Sequence, residues 1–271
     1  MTILVTGATA NIGRMVVDQL IAGGAGDVRA LTIDPAKAAL PAGVEVVRGH
    51  LGRPERLGVA FEGVDRMYLA PSQGDVSEVL EVARAAGVRQ VVDLSGEPES
   101  WWGSVCTAVE GSGMEWTHLW PADFMENTLS WSQQIRAAGS VREPHPETAS
   151  APIAMNDIAA VAATALLTDG HLGRAYSLGG PEILTRAELV AQLADALGRD
   201  IPFVRSSREE TIAALTPTMG DTTGWYVDNV LLGFAPPPES LPITSVEDIT
   251  GRPATTFAAW ARANAARFAE G

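Results

Sequence analysis

Residues Thr6-Gly7-Ala8-Thr9-Ala10-Asn11-Ile12-Gly13 carry the strongest chemical signal in the chain. They follow an apolar run, Thr2–Thr6, that reads as a strand. They precede a segment in which Ile12, Val16, Val17, Leu20 and Ile21 recur at helical spacing. In that setting Gly7 can make a tight turn, and Gly13 can let the helix pack close to the strand. The unpaired N–H groups at the helix start then favour an anion such as a pyrophosphate. The middle position of such turns is commonly glycine; here Ala10 adds a methyl group that narrows the approach to the phosphates. The bland alternative, a turn that only closes a strand–helix unit, stays open at this point.

Proton chemistry is constrained by what the chain lacks. Its one lysine is Lys37, against eighteen arginines. None of Tyr68, Tyr176 and Tyr226 has a lysine four residues later, so a Tyr-xxx-Lys pair is absent, and Schiff-base chemistry is confined to Lys37. Any proton transfer falls to another side chain or to water. The candidates are Tyr226, Asp123 and His118, with Glu126 and Asn127 close behind Asp123. Strand alternation puts His118 and Trp120 on one face, where a histidine with satisfied hydrogen bonds is the simpler reading. Cys106 would need a neighbouring base to act as a nucleophile, and no histidine is near it in sequence, so it reads as a buried, inert thiol. His50, His118, His145 and His171 are scattered, without ligand spacing such as HxxxH, and no metal site is expected.

The elements that position these residues alternate strand and helix. Candidate strands are 2–6, 28–33, 44–48, 66–70, 90–94 and 116–119, with helical patterns at 12–21, 54–61 and 76–86, the last stopping at Gly87. This is an α/β pattern, a doubly wound parallel sheet with crossover helices. In such sheets ligands bind at the carboxyl ends of the strands. That rule gathers Ala70-Pro71-Ser72, Leu94-Ser95-Gly96 and Trp120-Pro121-Ala122 around one cleft, with Trp101, Trp102, Trp120 and Phe124 as candidate lining for a flat, apolar substrate. Beyond Pro121, residues 123–138 read as helical and 139–152 as irregular with three prolines. A helix at 156–167 and a strand at 174–178 follow. Thr185 with Glu188 forms a capping box opening a helix that stops at Gly198, and a last helix spans about 256–268. The expected domains are a nucleotide-binding core, 1–122 with 153–178 returning to it, and a small C-terminal α+β lobe from 123–152 and 179–271. The segment Gly224-Trp225-Tyr226-Val227-Asp228 could cap the site from that lobe.

The turn Thr6–Gly13 resembles the TGATGxxG turn of the NmrA-like group of atypical short-chain dehydrogenases/reductases. Other segments resemble that group in order and at sensible spacing: 29–37, 113–121, Phe124-Met125-Glu126-Asn127, 175–182, Thr250-Gly251-Arg252-Pro253, and Thr256-Phe257 with Trp260. The resemblance implies a Rossmann fold that binds NAD(P). It places the cofactor at Gly7, Thr9, Ala10, Asn11, Ile12, Gly13, Ile33, Asp34, His50, Leu51, Ala70, Pro71 and Ser95. Several departures bear on that. Where the group carries an arginine for the 2′-phosphate of NADPH this chain has Ile33, with Asp34 next as a ribose-hydroxyl acceptor and Lys37 or Arg14 as substitute phosphate partners. Gly49-His50-Leu51 stands where Gly-Asp-Leu is usual, Trp120 replaces an arginine, and Ser95 is followed by Gly96 rather than a second frequent residue. The choice between NAD and NADP stays undecided.

Composition bounds the rest. A net charge of −14, with no Lys/Arg cluster, argues against nucleic acid and acidic membrane surfaces. No apolar run approaches the roughly 18 residues of a membrane span. The early first strand leaves no room for a signal peptide, and one cysteine excludes an internal disulfide, so a cytoplasmic protein is expected. Arginine in place of lysine and abundant alanine fit a GC-rich bacterial genome. The leading expectation is an NAD(P)-dependent reductase of a small or medium apolar carbonyl, quinone or enone-like compound, with a homodimer open. Two rivals remain: a non-redox isomerase or cyclase with decayed cofactor binding, and a redox-sensing nucleotide-binding regulator.

Overall fold

Seven short strands organise the first unit of the chain, and the central ones bury side chains on both faces. The structure is a computed structural model that describes residues 1–72, 74–100, 102–121, 123–232 and 244–269. The strands are β1 (Thr2–Val5), β2 (Asp27–Thr32), β3 (Glu45–Arg48), β4 (Arg66–Leu69), β5 (Gln90–Leu94), β6 (Glu115–Pro121) and β7 (Arg174–Leu178). They pair in parallel in the order β3-β2-β1-β4-β5-β6-β7. The order reverses between β1 and β4, which makes the sheet doubly wound and sets its switch point beside the turn after β1. Ile3, Leu4 and Val5 are fully buried, as are Met67, Tyr68 and Leu69, because helices cover both faces.

Those helices are α1 (Asn11–Ala22), α2 (Gly58–Phe61), α3 (Ser77–Ala85), α4 (Gly103–Gly111) and α5 (Met155–Leu167). Helix α1 buries Ile12, Gly13, Val16, Val17 and Leu20. Its close neighbour α5 is rich in alanine: Ala159, Ala160, Ala162, Ala163 and Ala165 are buried, and their small side chains let the two helices lie close together. Helix α5 is also tied to the sheet through its last carbonyls, which accept from Arg66 Nη1 at 2.7 Å and Gln90 Nε2 at 3.1 Å. Unit 1 comprises Met1–Pro121, Met155–Leu178 and Val246–Arg252. Among the described residues no helix is long and apolar enough to cross a membrane.

Unit 2 comprises Ala122–Ala154, Gly179–Ser245 and Pro253–Gly271. Its core gathers Trp131, Ile135, Leu189, Leu193, Leu215, Val227, Phe257, Trp260 and Phe268. The capping box of Thr185 and Glu188 opens the helix Arg186–Leu197, and a second one, Ser207 with Glu210, opens Arg208–Met219. The stretch expected as one helix over 123–138 is a 3-10 turn, Met125–Trp131, followed by Ser132–Ala138. The last helix breaks after Ala263 and resumes at Ala266–Ala269. The irregular stretch 139–152 supplies two short strands. Val141–Glu143 pairs in parallel with Phe203–Arg205, and Ala149–Ser150 pairs antiparallel with Leu184–Thr185.

A buried ion pair fastens this unit. Arg186 meets Glu143 through two hydrogen bonds, Nε–Oε2 at 2.8 Å and Nη2–Oε1 at 2.7 Å. Trp131 Nε1 donates to the same carboxylate at 2.6 Å, and the guanidinium carbon lies 4.8 Å from the Trp131 ring centroid. Burial alone would destabilise the Arg186 charge, yet the Glu143 carboxylate overrides it and pushes the guanidinium pKa upward. Removing one partner leaves the other charged and sealed from water. Arg186→Ala is therefore expected to cost about 3–5 kcal/mol of stability in urea unfolding. Arg205→Ala, which removes the exposed pair with Glu147, leaves the midpoint near that of the wild type.

Candidate functional site

The turn after β1 is held by side chains as well as backbone. Thr6 Oγ1 donates to the Tyr68 carbonyl at 3.1 Å and accepts from the Ala70 N–H at 2.8 Å, which joins the ends of β1 and β4. On the other side Thr9 and Thr32 share a hydrogen bond of 3.2 Å, and the Ala8 N–H reaches the Leu31 carbonyl at 3.4 Å. Gly7 has φ +59°, and a Cβ there would stand 2.8 Å from that of Ala70. A Cβ on Gly13 would strike the Gly7 carbonyl. Both glycines are thus required by space.

Helix α1 starts without a side-chain cap: Ala10 is the N-cap residue, and the first turn carries no acidic side chain. The longer helices of unit 2 contrast with it, since Thr185 and Ser207 each cap their own first turn. Thr9, Ala10 and Asn11 are exposed. An uncapped helix start with a cradle that a Cβ would fill fits a bound pyrophosphate.

Strand direction brings the remaining cofactor candidates to the same carboxyl edge. Ile33 and Asp34 follow β2, His50 and Leu51 follow β3, Ala70 and Pro71 follow β4, and Ser95 follows β5. Ile33 is 64% exposed. Asp34 lies 3.5 Å from Lys37, whereas Arg14 is turned to Asp18 and to the Ala39 carbonyl. Arg48 has no role in the sequence reading, yet parallel pairing sets it beside Thr32, and its Nε donates to the Ile33 carbonyl at 3.2 Å. His50 is exposed, and its Nδ1 accepts the Gly52 N–H at 2.9 Å. A charged concavity of about 560 Å³ opens at the opposite edge, near Asp65, Arg66, Arg89, Gln90 and Glu115. It lies away from the carboxyl ends, where ligands of such sheets bind.

The three catalytic candidates belong to different units, His118 to unit 1 and Asp123 and Tyr226 to unit 2. His118 is fully buried in β6, with Nδ1 against Asp93 Oδ2 at 2.6 Å, and Asp93 in turn accepts from Ser95 Oγ at 2.5 Å. Its Nε2 has no hydrogen-bond partner among the described residues, so only half of the expected satisfied histidine is present. Asp123 and Tyr226 meet in unit 2 around Arg186. Asp123 Oδ2 lies 3.5 Å from Arg186 Nη1, and Asn127 donates to Oδ1 at 2.7 Å. Burial raises the Tyr226 pKa; the Arg186 charge opposes this, and Asp123 and Glu143 reinforce it. Cys106 is buried as expected, and burial, then the Glu110, Asp93 and Glu99 carboxylates, push its thiol up to about 12. Sequence distance misled on its surroundings, because α4 packs on β6 and brings Cys106 to His118.

Of the aromatic candidates, Trp102 and Trp120 are half-buried in unit 1, and Trp120 stacks with His118 at 5.9 Å. Phe124 belongs to unit 2, where it bridges to Ile153. Trp101 and Ala122 lie outside the described residues.

Residues 7–97 match a family model described as NAD(P)H-binding. A (4-alkanoyl-5-oxo-2,5-dihydrofuran-3-yl)methyl phosphate reductase from Streptomyces griseus is 37% identical, over 98% of this chain and 99% of its own. An NAD(P)H azoreductase from Xenophilus azovorans is also 37% identical, over 98% of this chain and 99% of its own. The structure of an NADPH-dependent quinone oxidoreductase from Escherichia coli complexed with NADPH aligns with a TM-score of 0.82 at 25% identity, covering 96% of this chain and 98% of that one.

The glycine geometry makes a direct prediction. Gly13→Ala is expected to abolish the thermal stabilisation that NADPH confers, because the added methyl displaces α1 from the turn. Ala10→Gly, at an exposed position, is expected to retain or increase it. Equal stabilisation of both variants by NADPH would contradict the placement.

Proposed function

Because the chain belongs to the NmrA-like family of atypical short-chain dehydrogenases/reductases, with NAD(P) as its cofactor, we propose that this oxidoreductase reduces a small or medium apolar acceptor with a conjugated, electron-poor π system. Quinones and enone-like carbonyl compounds are the leading classes. The acceptor gains a hydride from the reduced nicotinamide and a proton from water.

The observation that carries this reading is the lysine count. With Lys37 alone, placed after β2, the chain has no Tyr-xxx-Lys pair to protonate a basic alkoxide. A conjugated acceptor avoids that need, since the charge left after hydride addition spreads over an enolate or hydroquinone oxygen and water can protonate it. The relatives' names support it: an oxo-dihydrofuran with an alkanoyl group, an azo compound and a quinone are all conjugated.

Within unit 1, Gly7, Thr9, Ala10, Asn11, Ile12 and Gly13 hold the pyrophosphate. Asp34 takes a ribose hydroxyl, and His50 and Leu51 flank the adenine. Ala70, Pro71 and Ser95 border the nicotinamide end, where Trp102 and Trp120 offer flat apolar surface to the acceptor. Arg48 supplies the cation that Ile33 cannot, so NADPH is preferred over NADH. The protein's work is to orient cofactor and acceptor and to keep water from the bond being formed.

Turnover tests the reading. NADPH labelled with deuterium at the transferring position, incubated with enzyme and a naphthoquinone, an enone or an azo dye, is expected to lose its near-ultraviolet absorbance and pass label to a carbon acceptor. Cofactor bound without oxidation by any acceptor would contradict it and favour a redox-sensing regulator. Arg48→Ala is expected to weaken NADPH binding by about tenfold, the worth of one charge-assisted hydrogen bond, and to leave NADH unchanged.

A further inference from the structure

Behind β5 and β6 lies a polar cluster that hydride transfer does not use. Helix α4 packs on these strands and presents Cys106 and Glu110, one helical turn apart, to His118 of β6. The Cys106 sulfur, a Glu110 carboxylate oxygen and a His118 ring nitrogen lie within 4.8 Å of one another. Glu110 Oε1 is 3.6 Å from His118 Nε2. A tetrahedral ion with bonds of about 2.0–2.3 Å separates its ligand atoms by roughly 3.3–3.8 Å, so this edge is already set and the sulfur needs a small rotation.

The histidine supplies the independent observation. Its ring is fixed between Trp116, 4.2 Å away and nearly parallel, and Trp120. Asp93 takes the Nδ1 proton at 2.6 Å and is itself held by Ser95. With Nδ1 engaged by Asp93, the other ring nitrogen, Nε2, lies in a residue with no exposed surface, and no described group hydrogen-bonds to it. A buried polar nitrogen left without a hydrogen bond is unfavourable. Here it is aimed at a sulfur and a carboxylate. A histidine oriented by a carboxylate on one nitrogen, with the other free, is the arrangement that metal-binding histidines use.

We propose that Cys106, Glu110 and His118 bind a zinc ion, with Asp93 orienting the histidine. The mixed sulfur, nitrogen and oxygen donors select zinc over magnesium or calcium, which take oxygen ligands. One thiolate and one carboxylate neutralise the two positive charges, which a buried site requires. Glu110 is half exposed and gives the ion its path from solvent and a fourth, water-filled position. Sequence spacing hides the site, because its ligands come from a helix and a strand with no metal-binding motif between them.

The test is direct titration of the full chain after treatment with a chelator. Calorimetry with Zn²⁺ is expected to show one ion per chain, and Cd²⁺ is expected to give a thiolate-to-metal absorption band. Cys106→Ser should remove the band, and Glu110→Gln should weaken Zn²⁺ binding. Asp93→Asn should keep the band and lower affinity by about 10–100-fold, as expected for a residue that acts through the ligand. Circular dichroism melting without metal checks that each variant folds. Should Cys106→Ser fail to fold, Glu110→Gln, on the solvent side, carries the comparison. Absence of the cadmium band in the wild type, or Zn²⁺ affinity unchanged by Glu110→Gln, overturns the proposal.

Discussion

The contact between Gly13 and the carbonyl of Gly7 is the constraint on which the nucleotide site depends. It presses the first turn of α1 against the end of β1, with no room for a side chain at either position. Thr6 and Thr9 then tie that turn to β4 and β2, so its geometry is fixed from both neighbouring strands. With no side chain to cap it, α1 directs its N–H groups and its dipole at whatever occupies the carboxyl edge. The parallel order of the sheet does the rest, since each strand delivers its following residues to that edge.

Two buried polar clusters lie away from this edge. In unit 2 the Arg186–Glu143 pair is sealed by Trp131, and the guanidinium is held by two carboxylates. In unit 1 the Asp93–His118 couple lies beneath α4, with Tyr68 close enough for the Asp93 charge to raise its pKa in addition to the effect of burial. Both clusters place charge where water is excluded, which is favourable only when every member finds a partner. Unit 2 meets that condition at Glu143 and Arg186. At His118, Nε2 has no hydrogen-bond partner among the described residues, with the Glu110 carboxylate 3.6 Å away.

Much of the first unit was legible because its signals are local. Alternating apolar runs and the glycine turn each depend on residues a few positions apart, and both reappear in the fold; in unit 2 the capping box of Thr185 does the same. The second unit was less legible. The pattern over 123–138 has helical spacing but tightens to 3-10 geometry at Met125–Trp131, and the short strands Val141–Glu143 and Phe203–Arg205 have too few residues to show a period. Long-range pairings left no local trace. Arg48 acquires its place from the register of β3 on β2, Glu143 from a partner 43 positions away, and Cys106 its histidine from the packing of α4 on β6. The single lysine, by contrast, is a property of the sequence alone, and it limits the chemistry more than any contact does.

The central claim is that the uncapped start of α1 holds a nicotinamide dinucleotide. Calorimetric titration of the purified chain with NADPH, NADH and their oxidised forms tests it most directly. The account predicts a single site with micromolar affinity for a reduced form. If none of the four bound at millimolar concentration, the turn would be a structural closure only, and the account would be wrong at its root.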